Sequence, residues 1–168
     1  MTISWQRLLI AAGLVLVLGA THWSIASRER LLADGNVVLL ELAPVDPRSL
    51  MQGDYMALRF KTARDAFPSN SNARDDGRLV LALDSRGIAT YVRHDDGVPL
   101  SADEVTIRYR VRHGAPKFAT NGYFFEEGRA QDFAKARYGE FRVASDGEAI
   151  LTGLRDEALK SLGGPQKR

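Results

Sequence analysis

The run Leu8–Ala20, LLIAAGLVLVLGA, carries no polar side chain. A soluble surface helix needs a polar face, and this run has none at the helical period. It therefore divides the chain into an apolar helix and everything that follows. If the helix continues through Thr21, His22, Trp23, Ser24 and Ile25, its rise of ~1.5 Å per residue brings it close to the ~30 Å thickness of a bilayer's hydrocarbon. Trp5 and Trp23 then fall near the two interfaces, where indole rings settle. A cleaved signal peptide competes with this reading. The amino terminus and Arg7 make a short basic start, and Ser24 and Ala26 supply the small residues for a cut after Ala26. The Trp pair and the near-spanning length favour an uncleaved signal-anchor over residues 8–26. Residues 1–7 form its short cytoplasmic end and residues 27–35 a polar connector. Arg28 and Arg30, beside Glu29, weaken the positive-inside argument for that orientation. The rest of the chain is globular in pattern, so export of the C-terminal part is the expected arrangement.

Charge excludes one class of partner. The chain has 23 basic and 21 acidic side chains, a formal net charge of +2, too even a balance for nucleic-acid binding. No cysteine is present, which removes disulfides, thiolate metal sites and a cysteine nucleophile. His22, His94 and His113 lie far apart and in no metal-ligand spacing, so no metal or other cofactor is expected. No GxSxG elbow and no Gly-rich phosphate loop occur. The acid pairs Asp75-Asp76, Asp95-Asp96 and Glu126-Glu127 sit at turns, where carboxylates are ordinarily solvated.

Beyond the connector, residues 36–162 read as one mainly antiparallel β domain, a small barrel or sandwich with one short helix. Asn36–Leu42 is a β-branched and Leu-rich strand. Asp46-Pro47 predicts a helical turn to Met51, and Asp54–Phe60 a strand. Thr62–Gly77 reads as a long loop. Leu79–Asp84 and Ile88–His94 flank Ser85-Arg86-Gly87, a hairpin signature, and Asp95-Asp96-Gly97 makes the next turn. Val105–Arg112 alternates throughout, with Val105, Ile107, Tyr109 and Val111 on one face. Tyr123–Phe125 is a short aromatic strand, followed by a helix from Ala130 to about Arg137. Tyr138–Val143 and Glu148–Leu154 form a last hairpin about Ser145-Asp146-Gly147. Asp156–Leu162 adds a helical turn, and 163–168 read as a disordered tail.

Two stretches are candidates for function. On the other face of Val105–Arg112, Arg108, Arg110 and Arg112 concentrate positive charge, extendable by His113 and Lys117. Such a face suits a docking surface for anionic head groups or an acidic partner. The second stretch is GDYMALRF, Gly53–Phe60. Gly53 offers backbone freedom for a turn, and Asp54 can accept backbone hydrogen bonds there. On the strand, Met56, Leu58 and Phe60 share one face and Tyr55, Ala57 and Arg59 the other. This works as a structural device, with Asp54 and Tyr55 free to face a partner.

DPRSLMQGDYMALRF resembles the signature of the GDYXXLXY family of bacterial membrane-anchored proteins. Gly53, Asp54, Tyr55 and Leu58 occupy lettered positions, and Phe60 stands where the family has Tyr, so that position serves packing more than hydrogen bonding. The later block YFFEEGRAQDFAKARYGEFRVASDGEAILTGL is similar to the family's second conserved region. The resemblance implies a single-pass protein of the bacterial inner membrane with its C-terminal domain in the periplasm. It also implies a multi-pass integral membrane partner, in addition to the inner-membrane lipid met by the anchor. It implies no reaction. The expected role is thus a non-enzymatic accessory domain. The alternatives are an envelope hydrolase or a small-ligand or glycan binder on a signal-peptidase-like β scaffold, with Tyr55, Tyr91, Tyr109, Tyr123 and Phe125 as ligand surfaces. Against the hydrolase, Val45 occupies the position a nucleophilic serine would take, Ser49 is too close to Gly53-Asp54, and Lys61 lies at a strand end.

Overall fold

The computed structural model describes residues 5–43, 51–52, 55–68, 76–112, 115–120 and 122–163. Helix α1, Trp5–Asp34, opens it. No proline or charge interrupts its apolar part, and all of the large hydrophobic side chains described there are exposed. The helix does not stop at the expected connector: Ser27–Asp34 continues it, because SRERLLAD contains neither Gly nor Pro. Gly35 ends it. Its N–H donates to the Leu31 carbonyl at 3.0 Å, and a Cβ at Gly35 would collide with that carbonyl. Leu31 is buried, and Arg142 Nη1 donates to the Gly35 carbonyl at 2.9 Å. One residue therefore joins the helix to the first strand.

The strands are β1 (Asn36–Glu41), β2 (Met51–Gln52), β3 (Tyr55–Ala57), β4 (Asp76–Leu83), β5 (Ile88–His94), β6 (Glu104–Arg112), β7 (Ala115–Lys117), β8 (Gly122–Phe124), β9 (Tyr138–Val143) and β10 (Ala149–Arg155). Seven form a curled half-barrel sheet in the order β10-β9-β1-β5-β4-β6-β7, and β2-β3-β8 form a second, small sheet. The expected mainly β, antiparallel domain is therefore present, with one departure: β1 and β5 run parallel. The hairpin turns fall where glycine supplies positive φ, at Gly87 (79°) and Gly147 (87°). The turn before β10 also closes the curl. The Arg108 N–H donates to the Gly147 carbonyl at 2.8 Å, so the tip of the β9–β10 hairpin sits against β6.

The core lies inside this curl. Val38 and Leu40 from β1, Leu79 and Leu81 from β4, Ile107 and Tyr109 from β6, and Phe141 and Val143 from β9 all point into it. Phe60 packs edge-on against Phe118 and Phe141, with ring centroids 6.0 and 5.4 Å away. Such aromatic pairs add to the burial term.

Four expectations shift. The loop expected over Thr62–Gly77 begins with helix α2, Lys61–Ala66. Thr62 and Ala66, four residues apart, turn one face of it inward. The helix after Glu127 is a single turn, α3, Ala130–Phe133. It ends early because Arg137 is already committed to the sheet, its N–H donating to Arg155 O and its carbonyl accepting from Leu42. Asp156–Leu162 is a turn and not a helical one. Asp156 Oδ1 accepts from the Lys160 N–H at 2.8 Å, and Ser161 bridges back to Arg155. Gly163, assigned to the tail, is ordered at φ 72° against Phe133, while 164–168 lie outside the described residues. The turn expected from Asp46 falls outside them as far as Leu50, and Met51 belongs to β2.

Candidate functional site

The signature stretch forms the inner strand of the small sheet. Met51 pairs with Met56 and Gln52 with Tyr55. Gly53 and Asp54 lie outside the described residues. On its other edge β3 meets β8, pairing Tyr55 with Phe124, Met56 with Tyr123 and Ala57 with Gly122. The strand is shorter than Asp54–Phe60, but its tail is held by main chain. Phe60 bridges to Leu42, and the Ala43 N–H donates to the Arg59 carbonyl at 2.7 Å.

The two faces separate as the alternation requires. Met56, Leu58 and Phe60 are buried, while Tyr55 and Arg59 are exposed. Beneath Phe60, Gly139 leaves room that a Cβ would take, coming within 2.9 Å of the ring. Leu58 and Phe60 are thus core residues. Tyr55 is not: its ring lies 5.8 Å from that of Phe124. Phe124 is 77% exposed. All five tyrosines and seven phenylalanines of the chain lie in the β domain. All but Tyr55 and Phe124 are buried or half-buried, and these two are cross-strand neighbours. Phe125 turns inward and stacks on Phe133 at 5.1 Å, and Tyr123 also packs on Phe133. The chain then turns Glu126 outward, its side chain 85% exposed.

Phe124 is the residue that sequence reading missed. Its signal was available, since in YFF only the middle ring leaves the face shared by Tyr123 and Phe125. The other ring candidates serve the fold. Tyr91 and Tyr109 pack with His94, at 5.9 and 6.0 Å, and Phe67 closes on His94 and Tyr109. His94 Nε2 lies 3.3 Å from the Ala66 carbonyl.

The arginine face is only partly free. Arg108 is bound to the hairpin tip, through Nη2 to Asp146 Oδ2 at 3.1 Å and Nε to the Asp146 carbonyl at 3.2 Å. Thr106, on the same face, is buried where the Gly147 turn covers it. Arg112 lies 3.7 Å from Asp76. Arg110 is exposed and has no ion pair among the described residues. Its register partner on β7 is Lys117, and His113 lies outside the described residues.

The carboxylates with shifted titration hold turns. Backbone N–H donation from Ile88, with Arg86 nearby, keeps Asp84 below the usual carboxylate range. Gly97 N–H and then Arg78 do so for Asp95. Ser101 N–H and Arg93 do so for Glu104. Lys61 pairs with Glu41 at the surface, 3.1 Å away, and does not enter a buried site. Among the described residues, no three His, Cys, Asp or Glu side chains are grouped to hold a metal.

The sequence matches the family described as GDYXXLXY protein over residues 17–154. This chain belongs to the GDYXXLXY family. The match begins within α1 and ends in β10, so the family unit includes the second half of the helix together with the β domain. No curated protein and no solved structure matches the chain.

Proposed function

We propose that this GDYXXLXY protein is a single-pass, membrane-anchored accessory domain, non-enzymatic, that docks onto an integral membrane partner from the periplasmic side of a bacterial inner membrane. The observation that carries the reading is the joint between α1 and β1. The apolar segment Leu8–Ile25 is about 27 Å long at ~1.5 Å per residue, which suits the hydrocarbon core. The helix then continues through Asp34, about 13 Å more. That is little beyond a head-group layer, and Gly35 alone follows before the sheet begins. A domain held so close and so stiffly meets membrane partners at high effective concentration. The side chains support binding over catalysis: among the tyrosine and phenylalanine rings of the β domain, the exposed ones are Tyr55 and Phe124, and the titratable groups with shifted pKa hold turns.

The test is purification of the tagged full-length chain from native membranes in mild detergent. A multi-pass protein recovered in stoichiometric amount supports the reading. A processed, soluble chain recovered alone refutes it.

A further inference from the structure

The Tyr55–Phe124 pair has a definite place relative to the anchor. β1 starts at Asn36, one residue after the end of α1. Its far end is bridged at Leu42 to Phe60, antiparallel. The signature strand therefore continues past the end of β1, so Tyr55 lies beyond the end of that strand farther from the α1–β1 joint. The surface there is aromatic, with carboxylates following Phe124 in sequence and the exposed Arg59 four residues along the face from Tyr55. Tyr55 and Phe124 expose their rings, and the Tyr55 hydroxyl has no hydrogen-bond partner among the described residues. Glu126 and Glu127, two and three residues after Phe124, are both exposed. Arg129 approaches Glu126 only at 3.8 Å, its shorter contact being Asp132 at 2.9 Å.

Ring faces and carboxylates attract the same kind of group. A cation over an aromatic face is held by the ring quadrupole, and desolvation strengthens its attraction to a nearby carboxylate. Exposed, rigid aromatic side chains are also the residues that anchor interfaces. We infer that Tyr55, Phe124 and Glu126 form the docking surface for a Lys- or Arg-bearing segment of the membrane partner, presented outside the bilayer, beyond the end of β1 farther from the α1–β1 joint. This rests on the accessory reading above and supplies the partner's chemistry and position.

The test places a photo-reactive benzoylphenylalanine at position 124, and in a second chain at position 110, in the full-length protein in native membranes. The expected result is a cross-link from position 124 into a peptide of the co-purifying membrane protein that carries Lys or Arg and lies outside its spans. Phe124→Ala and the charge reversal Glu126→Lys should each reduce recovery of that partner by about tenfold or more. Tyr55→Phe should retain it, because the ring and not the hydroxyl makes the contact. Melting temperatures of these chains should fall by no more than about 5 °C, which separates lost docking from lost fold. A cross-link from 124 into a transmembrane segment, lipid or a second copy overturns the inference. So does a partner that cross-links from 110 and not from 124, although the accessory reading then stands. Recovery of no partner at all overturns both.

Discussion

Gly139 and Phe60 test the packing beneath the signature. A Cβ on residue 139 would lie 2.9 Å from the Phe60 ring, 3.2 Å from the Phe141 ring and 3.3 Å from Leu151 Cδ1. The first distance is inside ordinary contact, and Phe60 cannot retreat, because Phe118 and Phe141 both pack against its ring. Overpacking of this kind costs about 1–3 kcal/mol. Replacing a strand-interior glycine returns roughly 0.5–1 kcal/mol of backbone entropy. Gly139→Ala should therefore destabilise the domain by about 1–2 kcal/mol net. In the Phe60→Leu background the new methyl finds space, and the same change should cost roughly nothing or stabilise slightly. The cycle then shows a coupling of about 1–2 kcal/mol, within the range seen for residues in contact. Both tryptophans lie in α1, so tryptophan fluorescence does not follow the β domain. Near-ultraviolet circular dichroism of tyrosine, or urea-dependent proteolysis in detergent, does. Additive costs, with Gly139→Ala equally harmful beside Leu, would refute the close approach and the account of why a ring at position 60 requires glycine at 139.

Other perturbations give separable outcomes. Gly147→Ala should lower stability by about 1–2 kcal/mol, since an L-residue resists the left-handed conformation held there. Asp146→Ala, which removes an exposed ion pair with Arg108 and the hydrogen bond that Asp146 Oδ1 accepts from the Glu148 N–H in the turn, should cost about 1–2 kcal/mol by urea titration. Acid should destabilise the domain. Asp84, Asp95 and Glu104 are all held below their unfolded values. Their contribution is therefore complete above about pH 5 and is lost as pH falls through the unfolded and then the lower folded values. A stability profile that rises on acidification would contradict those turns. Phe124→Ala should change stability by no more than about 1 kcal/mol, the scale of a cross-strand aromatic pair. Inserting a flexible Gly-Ser segment between Ser27 and Arg28, which leaves the buried Leu31 and the Arg142 bond to Gly35 with the domain, should leave the melting temperature of the β domain nearly unchanged and reduce partner recovery from native membranes.

Legibility differed with the kind of signal. Strands with strict alternation or a Gly turn were readable almost to the residue: Ile88–His94 and Tyr138–Val143 agree with β5 and β9. Binary pattern and turn chemistry are local, and nothing distant overrode them. Helix α2 was hidden because its apolar face consists of Thr62 and Ala66, which carry little hydrophobic signal and gain their burial from the sheet. The parallel β1–β5 pair was hidden because pairing partners are set by closure of the curl and not by either strand's own sequence. The arginine face was legible as a face and not as a surface. Alternation placed Arg108 outward, but only the returning hairpin shows that Asp146 and Gly147 occupy it.

The signature divides along the same line. Leu58 and Phe60 fill the core, and each has a reason to exist in the folding of the domain itself. Tyr55 has a weaker one. Its ring gains part of its burial from Phe124, and Phe124 gains little in return, staying more exposed than any other large hydrophobic side chain described. If stability alone had shaped this edge of the sheet, a Thr–Thr or charged pair at the two positions would serve it as well and would keep apolar surface from water. An aromatic pair left open, at the end of a domain whose other rings are covered, is more economically explained by what it meets than by what it holds together.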